Sequence, residues 1–192
     1  MAVKSSFKNM ALCLTAICLV CSALLAGVYA LTAEPIAAAA AAKNEAAIKE
    51  VLPDSAVQIE EVRTVDMDGQ KYEYNLAYDE QGNTVGCAIN VAPVGFGGPI
   101  VIKVGFDING VIWNTKVLSQ AETPGLGAKC TESAFAEQFK GFDPSQKKLT
   151  VKKDGGDVDA ITASTITSRA YADGLATAAK VFQTIAQTPM AI

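Results

Sequence analysis

Five hydroxyl side chains lie within seven consecutive positions, immediately before a segment with helical periodicity. They are Thr162, Ser164, Thr165, Thr167 and Ser168. Serine and threonine are common N-caps of helices, which accounts for one or two of these hydroxyls. The unpaired N–H groups and the positive dipole end of a helix N-terminus also favour a bound phosphate. The segment therefore indicates either a capped helix start or an anion site.

A second segment reads SQAETPGLGAK at residues 119–129 and connects a predicted strand to a predicted helix. Pro124 stiffens the turn, and the glycines at 125 and 127 flank Leu126 on both sides. A rigid loop that presents a leucine between small neighbours suits a flat apolar ligand. An ordinary strand-to-helix connection would have the same features, and both interpretations remain open.

The composition excludes several kinds of chemistry. The 192 residues include no histidine, which excludes His-ligated zinc or haem and every Ser-His or Cys-His nucleophile. A formal net charge of −4 argues against nucleic acid as a partner, because phosphate backbones require clustered lysine and arginine. Cys87 and Cys130, which follow the apolar N-terminal segment, either pair or stay reduced. The cysteine spacing does not fit a metal site, so we expect none.

The apolar residues are concentrated in one uncharged segment, Met10–Leu31. Its 22 residues would span roughly 33 Å as a helix, enough for a hydrocarbon core of about 30 Å. Lys4 and Lys8 precede the segment and Glu34 follows it, so the positive-inside rule places the N-terminus in the cytoplasm. The alternative is a secretory signal cleaved after the sequence VYA at residues 28–30. Both interpretations export the rest of the chain.

Residues 34–51 are rich in alanine, glutamate and lysine and predict a spacer helix, with Pro35 at its start and Pro53 just past its end. Short β-rich runs separated by turn signals follow. The sequence DING at residues 107–110 is typical of a hairpin. Strands are predicted at Val57–Val65, Gln70–Tyr78, Val85–Val91, Ile100–Phe106 and Val111–Leu118.

Helical patterns return at Glu132–Phe139 and from about Thr167 to Ile185. The fold class is therefore α+β, with an antiparallel sheet packed by helices. We expect a cytoplasmic N-terminus and transmembrane helix in residues 1–32, a membrane-proximal spacer in 33–54, and one exported domain in 55–192.

The glycine-rich run at residues 95–99 does not fit a dinucleotide-binding loop, because a strand rather than a helix follows it. Gly97 and Gly98 instead predict a bulge or a place where the backbone passes close to another group.

Together, these motifs resemble those of the FMN-binding domain found in the G subunit of the Rnf complex and in the C subunit of the sodium-pumping NADH:quinone reductase. In that family, a motif of the form D-x-x-[ST]-G-A-T-x-[ST] carries FMN covalently, as a phosphoester on its threonine. Asp159, Thr162, Thr165 and Thr167 occupy the matching places. The resemblance therefore implies that Thr165 is the attachment residue.

The resemblance extends to the loop at residues 122–129 and to Gly95–Ile100, and it covers nearly the whole chain. The sequence departs from the family motif at Ala163, where the family has glycine, and at Ser164, where it has alanine. Alanine would oppose a positive φ at that turn. The implied cofactor-binding set is Glu122, Thr123, Leu126, Gly127, Lys129, Thr162, Ser164, Thr165 and Thr167.

By length and by its single N-terminal span, the chain resembles the Rnf protein more than the quinone reductase protein. The implied role is a membrane-anchored flavoprotein that relays electrons from ferredoxin toward NAD⁺, coupled to ion movement. Such a translocase component needs no catalytic residues of its own, because the flavin supplies the redox chemistry.

The implied partners are the other subunits of the complex, the membrane, and a flavin transferase that uses Mg²⁺ and FAD. The FMN domain would face the extracytoplasmic side of the inner membrane. Other functions remain open: a C-type component of a quinone reductase or another anchored flavoprotein, a non-redox module that binds a phosphorylated ligand, and a secreted structural domain.

Overall fold

The structure is a computed structural model that describes residues 6–187. These residues form two compact units, one up to Lys43 and one from Asn44 onward. The first unit consists of most of helix α1 (Phe7–Val51), whose most apolar window has a mean hydropathy of 2.5. Within the described residues, α1 is the one helix long and apolar enough to cross a membrane. Its length and composition are compatible with a single-pass anchor.

The predicted break before the spacer helix is absent, because α1 runs through Pro35 without interruption. A proline inside a helix removes a single N–H hydrogen bond, whereas the alanine-rich residues after it are strong helix formers. The predicted end near Pro53 is correct, since α1 ends at Val51.

The second unit contains one antiparallel sheet of six strands, in the order β1-β3-β4-β5-β6, with β2 also pairing with β3. The predicted meander and the α+β class are therefore confirmed. The strands are β1 (Gln58–Ile59), β2 (Arg63–Met67), β3 (Gln70–Tyr78), β4 (Thr84–Val91), β5 (Val101–Asp107) and β6 (Ile112–Ser119).

The predicted strand at 57–65 is divided into β1 and β2, both of which pair with β3. Ile59 lies opposite Ala77 and Arg63 lies opposite Tyr74. The chain therefore advances four residues from β1 to β2 while β3 advances only three. The extra residue interrupts the ladder as a bulge does. The Asn75 side chain bridges the interruption by donating to the Glu60 carbonyl at 3.0 Å.

Helix α3 (Thr165–Gln187) covers one face of the sheet, and its buried residues join a single core with β4 and β5. Between β6 and α3, short helical turns at Gly127–Thr131, Ser133–Ala136 (α2) and Glu137–Phe139 replace the one predicted helix at 132–139. Phe139 stacks on Tyr171 of α3, with ring centroids 5.2 Å apart. These contacts fix the N-terminal half of α3 against the connection that follows β6.

The opposite face of the sheet is covered by the last residues of α1, whose Val51 and Leu52 pack on Ala77 and Ala88. Gly105 permits this approach, because a Cβ there would lie 1.8 Å from the Val51 carbonyl oxygen.

Candidate functional site

A cavity of about 390 Å³ lies where three segments of the second unit meet. These segments are the glycine-rich loop after β4, the connection after β6 and the N-terminus of α3. Its walls are formed by Phe96, Glu122, Thr123, Leu126, Gly127, Ala163, Ser164, Thr165, Ile166 and Thr167. The two segments that the sequence singled out for chemistry therefore meet at one site.

A tight turn precedes α3 and aims its first residue into the cavity. The Ser164 N–H donates to the Ile161 carbonyl at 3.0 Å, and Ala163 lies between them with a φ of +61°. This left-handed backbone favours glycine, so the departure from the family motif at this position carries a conformational cost. The turn that the motif glycine serves is nonetheless formed with alanine.

The buried Ser168 side chain holds this turn against the first turn of α3. Its Oγ accepts the Ile161 N–H at 2.9 Å and donates to the Ser164 carbonyl at 2.9 Å. The Ser168 hydroxyl therefore lies inward and holds the start of the helix, and Ser164 is buried next to it.

Thr165 is the first residue of α3, lies in the cavity wall and is only partly buried. At the N-terminal end of α3, the Ser168 N–H donates to the Ser164 carbonyl. The N–H groups of the preceding residues have no acceptor within the helix and carry the positive end of its dipole. A phosphoryl group on the Thr165 oxygen would lie beside these donors.

The TPGL sequence at residues 123–126 forms a tight turn, closed by the Leu126 N–H donating to the Thr123 carbonyl at 3.2 Å. Pro124 and Gly125 occupy its two central positions, and Gly125 has a φ of +76°. This is the residue pattern of a type II turn. The turn presents the Leu126 side chain, 42% exposed, at the cavity wall.

Glu122 is buried in the cavity wall and ties the three segments together. Its Oε1 accepts the Gly97 N–H at 2.9 Å, and its Oε2 accepts the Thr167 hydroxyl at 2.6 Å. Its own N–H donates to the Gln120 side chain at 2.5 Å. Both carboxylate oxygens are thus engaged by neutral donors of the protein itself.

The glycines around Glu122 are required by space. A Cβ at Gly127 would lie 2.4 Å from Glu122 Oε2, and one at Gly95 would lie 2.3 Å from Oε1. A Cβ at Gly97 would lie 2.0 Å from the Ala121 carbonyl oxygen. The close backbone approach that the sequence predicts at Gly97 is confirmed, and it brings the glycine-rich loop onto the Glu122 segment.

The electrostatics of the site are dominated by Glu122. None of the described lining residues is basic. Burial raises the pKa of the nearby Cys130 thiol to about 11, and the negative charge of Glu122 adds to that shift. Burial alone raises the pKa of Cys87 to about 12. The two cysteines are not bonded to each other in this structure, and burial favours the neutral form of both thiols.

The structure brings together seven residues of the predicted cofactor-binding set. They are Glu122, Thr123, Leu126, Gly127, Ser164, Thr165 and Thr167. Lys129 and Thr162 are exposed and do not line the cavity. Asp159 of the motif is also exposed, and its carboxylate lies 2.8 Å from Lys152 Nζ.

Sequence reasoning missed Phe96, Ala163 and Ile166 as lining residues. Phe96 is 69% exposed and Ile166 is 52% exposed, so neither serves the core. The sequence did contain a signal for Phe96. It is an aromatic residue between two glycines in a loop, where an exposed aromatic side chain indicates a binding surface.

The donor set fits FMN. The volume lies in the range of small-molecule sites, and Phe96, Leu126 and Ile166 offer apolar contact for a flat ring system. The N-terminus of α3 offers donors for its phosphate. Among the described residues, the lining holds no histidine, and its hydroxyl–carboxylate pair, Thr167 with Glu122, is buried in the wall and also engaged by the Gly97 N–H.

Comparison with known proteins agrees with this geometry. Residues 95–180 match the FMN-binding domain family, and residues 1–51 match the RnfG N-terminal region. The chain is 37% identical over 160 residues to the G subunit of an ion-translocating oxidoreductase complex from Methanosarcina acetivorans, covering 81% of this chain and 84% of that one.

Two further relatives carry similar names. The chain is 36% identical to the G subunit of the ion-translocating oxidoreductase complex of Yersinia pestis, covering 84% of this chain and 83% of the relative. It is 30% identical to the G subunit of the Na⁺-translocating ferredoxin:NAD⁺ oxidoreductase complex of Acetobacterium woodii, covering 75% and 76%.

The fold is similar to the crystal structure of the C subunit of the Na⁺-translocating NADH-quinone reductase from Parabacteroides distasonis. The TM-score is 0.52 at 21% identity, covering 69% of this chain and 79% of the other. The fold, the FMN-binding match and the relatives aligned over most of their length together identify the chain as a member of the family of G subunits of ion-translocating oxidoreductase complexes.

Proposed function

We propose that this chain is the membrane-anchored, electron-transferring flavoprotein of an Rnf-type ferredoxin:NAD⁺ oxidoreductase complex, with FMN esterified to Thr165. The Thr165 hydroxyl carries this proposal, because it lies in the cavity wall at the N-terminus of α3. When bound, the flavin supplies one- and two-electron chemistry, and the protein supplies binding, orientation and electrostatics.

The electrostatics of the cavity favour a covalent link over reversible binding. A free FMN phosphate is a dianion, whereas the described lining has one acidic residue, Glu122, and no basic one. An ester to Thr165 leaves one negative charge, which the α3 N-terminus stabilises by about 0.3–1 kcal/mol. The same charge balance argues against the alternative in which this site holds a free phosphorylated ligand.

The apolar part of the ring system would contact Leu126, which the rigid TPGL turn presents beside Thr165. Phe96 and Ile166 border the same cavity and are exposed. A flavin held against partly exposed walls stays accessible to neighbouring redox centres, which suits an electron relay.

The attachment step is a group transfer without redox change. A flavin transferase with Mg²⁺ and FAD would catalyse it. The Thr165 oxygen bonds to the FMN phosphorus of FAD, the pyrophosphate P–O bond breaks, AMP leaves and the hydroxyl proton is released. The described residues of the cavity include no base suited to this proton transfer apart from Glu122, which is already engaged by two donors. We therefore assign the activation of the hydroxyl to the transferase.

The topology proposal rests on α1. Its apolar part would anchor the chain in the inner membrane, with the N-terminus in the cytoplasm, because Lys4 and Lys8 precede the span. The second unit would then lie on the extracytoplasmic side, among the other subunits of the complex. The cleaved-signal alternative predicts a mature chain that lacks this span.

Intact mass spectrometry of the full chain, expressed with and without a flavin transferase, tests the attachment. We expect a gain of one FMN moiety with the enzyme and bare polypeptide mass without it. Thr165→Val should abolish the gain and the in-gel fluorescence of the denatured protein. Thr165→Ser, which keeps a hydroxyl, should retain part of it.

Thr162→Val is the matched control, because Thr162 is an exposed hydroxyl three positions earlier that does not line the cavity. It should be flavinylated like the wild type. Persistent fluorescence in Thr165→Val would move the attachment to Thr162, Ser164 or Thr167. A bare wild-type chain despite an active transferase would refute the flavoprotein assignment.

A further inference from the structure

We propose that Glu122 is a positioning residue of the flavin site, which joins the glycine-rich loop to α3 and supplies a buried negative charge that lowers the flavin's reduction potential. This inference rests on the proposed function for its second half. Its first half concerns the protein alone and can be tested without flavin.

The positioning role follows from the contacts of the carboxylate. Oε1 accepts from the Gly97 backbone on one side, and Oε2 accepts from the Thr167 hydroxyl on the other. Gly97 belongs to the loop that carries Phe96, and Thr167 lies two residues after Thr165. The Glu122 side chain thus fixes the distance between an apolar wall of the cavity and the proposed attachment residue, with each carboxylate oxygen held by a donor of the protein.

The surroundings of Glu122 are built for this side chain. The glycines at 95 and 127 leave space for one carboxylate oxygen each, since a Cβ at either position would lie within 2.4 Å of it. Glu122 itself is only 6% exposed. A buried carboxylate that accepts two hydrogen bonds from neutral donors is held in one place inside the site.

The field of this charge reaches neighbouring groups. It contributes to the raised pKa of the Cys130 thiol, which is itself fully buried. Reduction of a flavin in the same cavity adds negative charge, and a fixed negative charge nearby opposes that step. The described lining includes no cation that would offset it.

Hydrogen exchange on the full chain in detergent, expressed without transferase, tests the positioning role. In Glu122→Ala, peptides covering residues 95–100 and 165–170 should exchange several-fold faster than in the wild type. Glu122→Gln should stay close to the wild type, because an amide side chain still accepts from the Gly97 N–H and still pairs with the Thr167 hydroxyl. Unchanged exchange in Glu122→Ala would overturn the positioning role.

Spectroelectrochemistry of the flavinylated full chain tests the charge. In Glu122→Gln, the ratio of reduced to oxidised flavin at a given electrode potential should rise about tenfold. That ratio corresponds to an upward shift of about 30 mV for a two-electron couple. Glu132→Gln removes an exposed charge outside the cavity and is the matched control, with no expected shift.

An unchanged or lower potential in Glu122→Gln would overturn the charge effect. A Glu122→Gln protein that takes up no flavin, when the wild type does, would also contradict the proposal, since this variant keeps both hydrogen bonds. If the wild type itself takes up none, the proposed function fails, while the exchange experiment still decides the positioning role.

Discussion

Glu122 and Lys103 are two buried ionisable side chains in the same domain, and they differ in the contacts that the fold gives them. Glu122 is 6% exposed and accepts two hydrogen bonds that connect separate segments. Lys103, in the middle of β5, is 1% exposed. Burial lowers the pKa of Lys103 to about 8, and the negative charge of Glu73 opposes this shift without cancelling it.

The two residues also lie in different parts of the sheet. Ile102 and Val104, on either side of Lys103, face the core that α3 covers, so Lys103 faces the other side. Glu122 lies beyond the end of β6, in the wall of the cavity. Burial alone therefore does not identify a functional charge. The informative property is whether the buried group makes hydrogen bonds that connect separate segments, as Glu122 does.

The largest expected effect comes from filling the space around the buried acid. In Gly127→Ala, the new methyl would lie 2.4 Å from Glu122 Oε2 and 2.7 Å from Thr167 Oγ1. Overpacking and the lost charged hydrogen bond should lower the free energy of unfolding by about 3 kcal/mol. Denaturant unfolding measures this loss. Gly27→Ala, with nothing within 4 Å of the new methyl, is the control expected to leave the domain unchanged.

A smaller and opposite effect is expected at the buried base. Lys103→Met removes a charge whose burial Glu73 offsets only in part, and should raise the free energy of unfolding at pH 7 by about 1–2 kcal/mol. A loss of stability in this variant would mean that the charged lysine is supported as well as Glu122 is, and the contrast between the two residues would disappear.

The pH dependence of stability gives a finer test of the same contrast. Above a pKa of about 8, native Lys103 releases a proton that the unfolded chain keeps until about pH 10.4. The unfolded state then binds more protons, so wild-type stability should rise with pH across this window relative to Lys103→Met. The advantage of the variant at pH 7 should therefore shrink by pH 10, as measured by unfolding at both values.

The smallest expected effect lies at the turn before the attachment residue. Ala163 has a φ of +61°, so Ala163→Gly should relieve backbone strain. The greater freedom of glycine in the unfolded chain offsets part of this gain, which leaves about 0.5–1 kcal/mol. Thermal unfolding measures it, and flavin attachment at Thr165 should be retained. A destabilised variant would show that the alanine methyl makes a contact worth more than the strain.

Sequence reasoning reached the local features of the fold and missed those that depend on tertiary contacts. The DING hairpin, the TPGL turn and the strands β3 to β6 follow from turn chemistry and alternation, and each lies close to its predicted bounds. The bulge between β1 and β2 does not follow from them, because it depends on how Glu60 pairs with residues of β3. The continuation of α1 through Pro35 does not follow from local signals either, because the helical segments before and after the proline together keep it in the helix.

The candidate site shows the same division. The hydroxyl cluster and the Glu122 loop stood out by residue type, and the structure brings them together in one cavity. The direction in which each side chain lies does not follow from the sequence. Lys129 and Thr162 lie outside the cavity wall, and Phe96 lies in it, because the backbone around each turn sets their orientation.

The close approach of Val51 to Gly105 has a practical consequence for any shortened version of this protein. The final turns of α1, from Asn44 onward, belong to the second unit, and Ala47, Ile48 and Val51 are buried there. Cleavage ahead of Asn44 would release a water-compatible fragment with an intact interior. Removal of the chain through Leu52 would instead strip a layer from the sheet and leave Ala77 and Ala88 open to solvent, so that fragment should aggregate.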